Sequence, residues 1–376
     1  MTLRLTWKRV LLGLAALLLG GMLVGWSGVI NIGASGGHWA VTEWFLHWVM
    51  RNSVRTHALG IAAPPLDDPA LLHRGAGHYA TGCAPCHGAP GERQNPIVQA
   101  SLPPPPDFGR ALDAWTPEQL FRIVQHGVRY SGMPAWVEPG RHDEIWAMVA
   151  FLRALPRMEA ERYRDLAFGA AAGRQPGSGV AGGESLAAPL QDMLADCARC
   201  HGVDGRGREN EAFPILAGQS EAYLHDTLRA FSEGRRRSGM MQPPAARADE
   251  AALRALAAHF AAQAPAVPAT AAPSREAAPG LLAEGGRIAR EGLPAEGVPA
   301  CLSCHGAAAL ARNPAWPRLD GQHAAYLENQ LRLWREAAPR GGGPHGPVME
   351  TIGRRLPAEA ARAVSAWFAA RAPGSP

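Results

Sequence analysis

The sequence predicts an all-α protein in which an N-terminal transmembrane helix is followed by three small helical domains. Three observations carry this. Strand formers such as Val, Ile and Tyr are sparse (Tyr occurs 5 times) while Ala and Arg are plentiful. The pentapeptide pattern C-x-x-C-H recurs three times, about a hundred residues apart, at Cys83–His87, Cys197–His201 and Cys301–His305. An uncharged apolar run lies near the N-terminus.

The length of 376 residues suits two to four domains. With 43 Gly and 33 Pro, the helices are expected to be short and joined by long loops. Such domains bury little side-chain area by themselves, so a bound group is expected to supply much of each core. The formal net charge of +4 is uneven: residues 1–66 carry Arg4, Lys8, Arg9, Arg51 and Arg55 against Glu43 alone. No basic stripe interleaved with aromatics appears, so nucleic-acid binding is not expected. Arg235-Arg236-Arg237 is the one basic run and is read as a solvated loop.

Residues 1–35 form the anchor. The 21 residues Val10–Ile30 contain no charge and are long enough to cross a bilayer. Arg4, Lys8 and Arg9 precede them, which keeps the N-terminus in the cytoplasm and sends the rest outward. A cleaved signal peptide is the competing reading, but the run exceeds a usual signal core and no clear A-x-A site follows. The expected location is the inner (cytoplasmic) membrane, single-pass, with the large domains in the periplasm. Residues 36–66 form an aromatic segment, in which Trp39, Val41, Trp44, Phe45, Trp48 and Val49 fall near helical spacing. A helix in the membrane interface, or one docked on a membrane partner, fits that pattern.

The pentapeptide is the attachment signature of c-type haem. Two thiols spaced by two residues can add across the vinyl groups on one porphyrin edge, and the next His can ligate the iron. Cys83, Cys86, Cys197, Cys200, Cys301 and Cys304 are therefore read as haem attachment points, with His87, His201 and His305 as iron ligands. A C-x-x-C pair also occurs in zinc sites and redox dithiols. Zinc would usually need a second ligand pair at short range, which no motif has, and all six cysteines are used by the motifs. Three covalently attached haems c are expected.

The first haem domain is assigned to residues 67–165. Asp68-Pro69 opens a helix that Leu71 to Tyr79 continues. Leu102-Pro103-Pro104-Pro105-Pro106 must be extended loop. Helices follow over Thr116–His126, opened by Thr116-Pro117-Glu118-Gln119, and over His142–Leu155. Met133, in the loop between them, is the expected sixth iron ligand, since a thioether suits haem iron and raises its potential. His126 is the competing ligand. Residues 166–189, rich in Gly, Ala, Ser and Pro, read as a linker.

Residues 190–262 and 280–376 form the second and third domains and read as a duplication, joined by an Ala/Pro-rich linker over 263–279. Pro214-Ile215-Leu216-Ala217-Gly218-Gln219 precedes Ala222-Tyr223-Leu224, and Pro317-Arg318-Leu319-Asp320-Gly321-Gln322 precedes Ala325-Tyr326-Leu327. A carbonyl in each segment is placed to accept the N–H of the motif histidine. Pairing Phe260 with Phe368 aligns Met241 with Met349, the expected sixth ligands of the second and third haems. Met240 and His345 are the alternatives.

On these motifs, residues 190–372 resemble the dihaem c4-type cytochromes, and residues 67–158, with Gly132-Met133-Pro134-Ala135-Trp136, resemble a single-haem class I cytochrome c. The resemblance implies three cytochrome c folds with His/Met iron. It departs from the c4 type in having a further domain and an anchor. Iron with both axial positions filled suits an electron carrier rather than an enzyme such as a peroxidase. The expected role is relaying electrons in a respiratory chain toward a terminal oxidase. The alternative is the cytochrome subunit of a membrane-bound periplasmic dehydrogenase of alcohol or aldehyde type. Partners are expected to be a terminal oxidase, a quinol-oxidising complex or a dehydrogenase, together with the membrane.

Overall fold

The computed structural model describes residues 6–169, 188–265, 279–336 and 340–373. Among them there is no β-strand, only isolated bridges at Arg236–Gly341 and Leu293–Val298. The N-terminal helix α1, Trp7–Trp26, begins three residues before the uncharged run and stops where Ser27 and the left-handed Gly28 (φ 71°) turn the chain. None of its residues is buried, and it is the one described helix long and apolar enough to cross a membrane. Helix α2, Ala40–His57, packs against the helix Pro117–His126 of the first domain, while Trp39, Trp44, Phe45 and Trp48 stay exposed.

Three separate buried clusters follow, each including the first cysteine of one motif. The first is built by α3 (Pro69–Gly82), α4 (Pro117–His126), α5 (His142–Ala154) and α6 (Ala160–Phe168). Asp68 caps α3, and Thr116 with Gln119 forms a full capping box on α4, as their order in the chain predicts. Helices α3 and α5 cross at Gly75, where a Cβ would lie 2.5 Å from the Ala147 carbonyl oxygen. Helix α6 buries Tyr163, Leu166 and Ala167, so this domain runs to Phe168, past the boundary read at 165. The linkers read at 166–189 and 263–279 lie mostly outside the described residues.

The second cluster uses α7 (Ala188–His201), α8 (Glu221–Ser232) and α9 (Glu250–Ala261). The third uses α10 (Pro279–Glu291), α11 (Ala324–Arg335), α12 (Gly346–Arg355) and α13 (Ala358–Ala369). Helices α10 and α13 cross at Gly285, where a Cβ would overlap Ala363, repeating the Gly75 arrangement.

The second and third domains are joined by a reciprocal pair of glutamines. Gln219 donates to the Arg318 carbonyl (2.7 Å) and accepts from its N–H (2.9 Å). Gln322 does the same to Ile215, at 2.9 and 3.0 Å. Each glutamine ends one copy of the repeated segment and reads the residue after the proline of the other copy.

The reading of Arg235-Arg236-Arg237 as solvated is corrected at its middle residue. Arg235 and Arg237 are exposed, but Arg236 is buried, with its guanidinium over the Phe231 ring and bonded to Tyr326 Oη (3.0 Å). The aromatic surroundings, which lie far apart in the chain, explain why a run of charge could turn one member inward.

Candidate haem-binding sites

Each motif is held in a tight helical turn. Cys83 caps α3 and starts the short helix Ala84–His87, where the His87 N–H bonds to the Cys83 carbonyl (2.9 Å). The second motif is the last turn of α7, and the third forms the helix Leu302–His305 with the equivalent bond from His305 to Cys301 (2.9 Å). In this turn the two cysteines and the histidine of a motif are close neighbours. Gly88 and Gly202 follow with φ of 74° in both cases, a conformation that favours glycine. Gly306 instead has φ of −78° and begins another helix.

All three histidines make the same bond. His87 Nδ1–H donates to the Pro106 carbonyl (3.2 Å), His201 to Pro214 (3.1 Å) and His305 to Pro317 (2.9 Å). That fixes the tautomer and leaves Nε2 as the basic nitrogen of each ring. The bonds to Pro214 and Pro317 are where the repeated segments place them. The bond to Pro106 was not anticipated. It lies 19 residues beyond its histidine, against 13 and 12 in the others, and its signal was the proline run itself. The His87 ring also stacks on Phe108, with centroids 4.0 Å apart. Burial lowers the pKa of all three rings, partly offset by the proline carbonyls, and so favours the neutral, ligating form.

The three motifs line one connected, largely apolar cavity of about 1740 Å³. That is room for three ligand-sized sites of the ~300–1,000 Å³ class. Met133, Met241 and Met349 line it too, as do Met240 and His345. His126 does not line it and is exposed at the end of α4. Met240 packs against the first domain's cluster, and the His345 ring stands edge-on to Trp316 and 3.5 Å from Asn313 Nδ2.

The cysteines do not suit a redox dithiol or zinc. Burial pushes the Cys83 and Cys197 thiols up to about 12 and Cys301 to about 11, the opposite of a reactive thiolate. No group of three or more His, Cys, Asp or Glu side chains able to hold a metal ion occurs among the described residues. Paired thiols, an imidazole with a free Nε2 and a thioether around an apolar cavity are instead the donor set of covalently bound haem.

Two buried cations complete the cavity wall. Arg236 and Arg340 both line it, and Arg340 lies over the Trp334 ring at 3.7 Å and donates to Gln330 (2.7 Å). Neither has a carboxylate partner among the described residues. Burial, reinforced by Arg236, lowers the Arg340 pKa to about 9. These residues offer positive charge to an acidic ligand in the cavity.

Residues 70–152 match the family described as cytochrome c oxidase, cbb3-type, subunit III, and residues 190–261 match the cytochrome c family. A thiosulfate dehydrogenase electron acceptor of Thiomonas intermedia is 38% identical over 177 residues, spanning 47% of this chain and 79% of that protein. The protein of the same name in Stutzerimonas stutzeri is 36% identical over 173 residues, 46% of this chain and 77% of its own. Cytochrome c4 of Pseudomonas aeruginosa is 34% identical over 192 residues, 51% of this chain and 91% of that protein.

Proposed function

Starting from the fact that this chain belongs to the c-type cytochromes and is homologous over about half its length to the dihaem cytochromes c4, we propose that it is a membrane-anchored trihaem electron carrier. Cys83 and Cys86, Cys197 and Cys200, and Cys301 and Cys304 attach three haems. His87, His201 and His305, with Met133, Met241 and Met349, would supply the iron ligands. Met240 is engaged with the first domain's cluster and His345 with Trp316 and Asn313, which supports Met241 and Met349 as the ligands. Bound haem supplies a one-electron couple. The chain's own residues would hold it: the proline carbonyls orient the imidazoles, the apolar walls exclude water, and Arg236 and Arg340, which line the cavity, would offer positive charge to its carboxylates.

The observation that carries this reading is the histidine-to-proline bond, made three times around one cavity. The test is intact mass and alkaline pyridine spectroscopy of the full chain. Three haems per polypeptide are expected; two or fewer would sink the trihaem assignment.

Helix α1 anchors the chain in the inner membrane with the haem domains in the periplasm, and the exposed aromatic face of α2 lies in the membrane interface or against a membrane partner. The direction of electron flow is toward a terminal oxidase, in keeping with the cbb3-type match over the first domain. A second reading has a specific support: two relatives are electron acceptors of thiosulfate dehydrogenase. In that reading a periplasmic dehydrogenase acting on a sulfur compound, rather than on an alcohol or aldehyde, delivers electrons to the C-terminal pair. Copurification from mild detergent separates the two, since an oxidase partner supports the first and a dehydrogenase the second.

A further inference from the structure

Arg199 and Arg208 of the second domain bond to the Gly77, Leu166 and Asp165 carbonyls of the first, and beside the methionine loops the two domains meet at a buried carboxylate that belongs to neither haem motif. Glu144 stands in the first turn of α5 and is 5% exposed. It accepts from Trp136 Nε1 (3.2 Å), from the Gly239 N–H (2.7 Å) and from Ser238 Oγ (2.5 Å), and it pairs with Arg141 at 2.9 Å. Trp136 lies three residues after Met133. Ser238 and Gly239 lie immediately before Met240 and Met241.

The two loops joined in this way are built alike. Ser131-Gly132-Met133 and Ser238-Gly239-Met240-Met241 each start with a serine whose hydroxyl accepts the N–H of the candidate ligand, at 3.2 Å for Met133 and 3.0 Å for Met241. The contact between them is close: a methyl group on Gly239 would overlap the Trp136 indole. Arg141 adds a bond to the Arg237 carbonyl (2.6 Å), and Asn329 of the third domain reaches only the neighbouring Asp143 (3.0 Å).

Burying an anion is costly unless its partners are complete, and here they are. Indole N–H, backbone N–H and guanidinium are donors with no acceptor capacity, so an ionised carboxylate is the group that satisfies all of them. A core contact between two domains would not need such a group. We propose, given the electron-carrier reading above, that Glu144 is a positioning residue that locks the methionine loop of the first haem against that of the second. It thereby sets the distance for electron transfer between these two sites, making the first domain the entry or exit port of the C-terminal pair through the second haem. Because the carboxylate is an anion between those two loops, it also stabilises the ferric state of both, and not of the third.

The test uses the full chain in detergent, with Glu144→Gln and Trp136→Phe. Each step of the redox titration is assigned by its shift in Met133→His, Met241→His or Met349→His. In Glu144→Gln the potentials of the first and second sites are expected to rise and the third to stay. Equilibration between the first and second haems after rapid photoreduction is expected to slow by roughly tenfold or more, as small misplacements do in positioned reactions. Trp136→Phe, which removes one donor and keeps the charge, is expected to slow equilibration without raising either potential. Unchanged potentials and rate in Glu144→Gln would overturn the proposal, as would an equal shift of all three sites. If Glu144→Gln fails to retain three haems, a wild-type rate in Trp136→Phe overturns it instead. A wild-type chain lacking three reducible haems would refute the functional reading, a different result from any of these.

Discussion

Gln322→Ala should open the seam between the second and third domains, at a cost that follows from what it leaves behind. Gln322 is 5% exposed, and its amide satisfies both the N–H and the C=O of Ile215 across the seam. Two neutral hydrogen bonds contribute about 1 kcal/mol each, and a buried backbone group left without a partner costs roughly 1–3 kcal/mol. Partial access of water to the opened edge offsets some of this, so about 2–4 kcal/mol is expected. For a unit of this size each kcal/mol lowers Tm by roughly 2–4 °C, giving a drop of about 4–16 °C. Thermal unfolding of the haem-loaded chain, followed by circular dichroism and Soret absorption, measures it. Gln322→Glu should be at least as damaging, since a second oxygen would face the Ile215 carbonyl. Gln219→Ala should match Gln322→Ala, and the double variant should fall short of the sum because both hold one seam. A Gln322→Ala effect within about 0.5 kcal/mol, the usual range for a surface change, would refute this account of the joint.

Three further outcomes are expected. Met133→Ala, Met241→Ala and Met349→Ala should each remove one site's share of the ferric methionine–iron charge-transfer band, while Met240→Ala should leave it intact; an unaltered spectrum in any of the first three means that iron has another ligand. Burial, aided by the charge of Arg199, holds the His78 pKa near 4, below the ordinary 6.5. Between these values the unfolded chain binds the proton and the folded chain does not. The stabilisation is therefore complete above 6.5 and declines as pH falls toward 4, by up to ~1.4 kcal/mol per pH unit. His78→Phe, which keeps a ring against Trp136, should flatten the fall in urea midpoint between pH 7 and pH 5, and an unchanged slope would show that other groups carry it. Deleting residues 1–33 should move the haem-loaded protein from the membrane fraction to the soluble fraction, and retention in the membrane would point to α2 as a second anchor.

What could be read in the sequence was what depends on near neighbours. The cysteine spacing, the capping box at Thr116 and the repeated proline–glutamine segments are local patterns, and each takes up the structure its chemistry requires. The two repeated segments also show their function only in part. Their prolines announce the histidine bonds, but their glutamines act on each other's segment about a hundred residues away, and no periodicity encodes that. The Pro106 bond is not legible in the sequence because its 19-residue separation breaks the pattern of the other two, although its carbonyl does the same work. Arg236 and Glu144 were illegible for a stronger reason. A charged side chain is expected outside, and what brings each one inward is a set of partners drawn from distant parts of the chain.

The two joints of the molecule differ in kind, and the difference bears on how the first domain came to be fixed to the pair. The seam between the second and third domains is centred on side-chain amides meeting backbone, with each half offering the other the same group, while Arg236 adds a bond to Tyr326 Oη and Arg318 one to the Ala217 carbonyl. Reciprocal, and without an ion pair across it among the described residues, such a seam suits two copies of one domain and holds no carboxylate pair for acid to break. The junction with the first domain has no such symmetry. It is carried by Arg141, Asp143 and Glu144 of the first domain, which meet backbone, hydroxyl and amide groups, and by Arg199 and Arg208 of the second, which donate to the Gly77, Asp165 and Leu166 carbonyls. Burial would lift the Asp143 carboxyl, but hydrogen bonds and charge from Arg141, with Asn329, hold it well below the ordinary carboxylate range. Its contribution is present above that ordinary range and is lost as pH falls below it. Burial pushes the neighbouring Glu144 up, against the pull of Arg141, a shift that by itself adds no acid sensitivity, so the loss in acid is carried by Asp143. Acid should therefore release the first domain from the pair before the pair itself parts. Because truncating one member of a buried charged set costs about 3–5 kcal/mol, Arg141→Leu should reproduce that order of events at neutral pH, with proteolysis cutting between the first and second domains while the C-terminal half stays intact. Cleavage at the seam between the second and third domains instead would show that the charged junction is the stronger of the two.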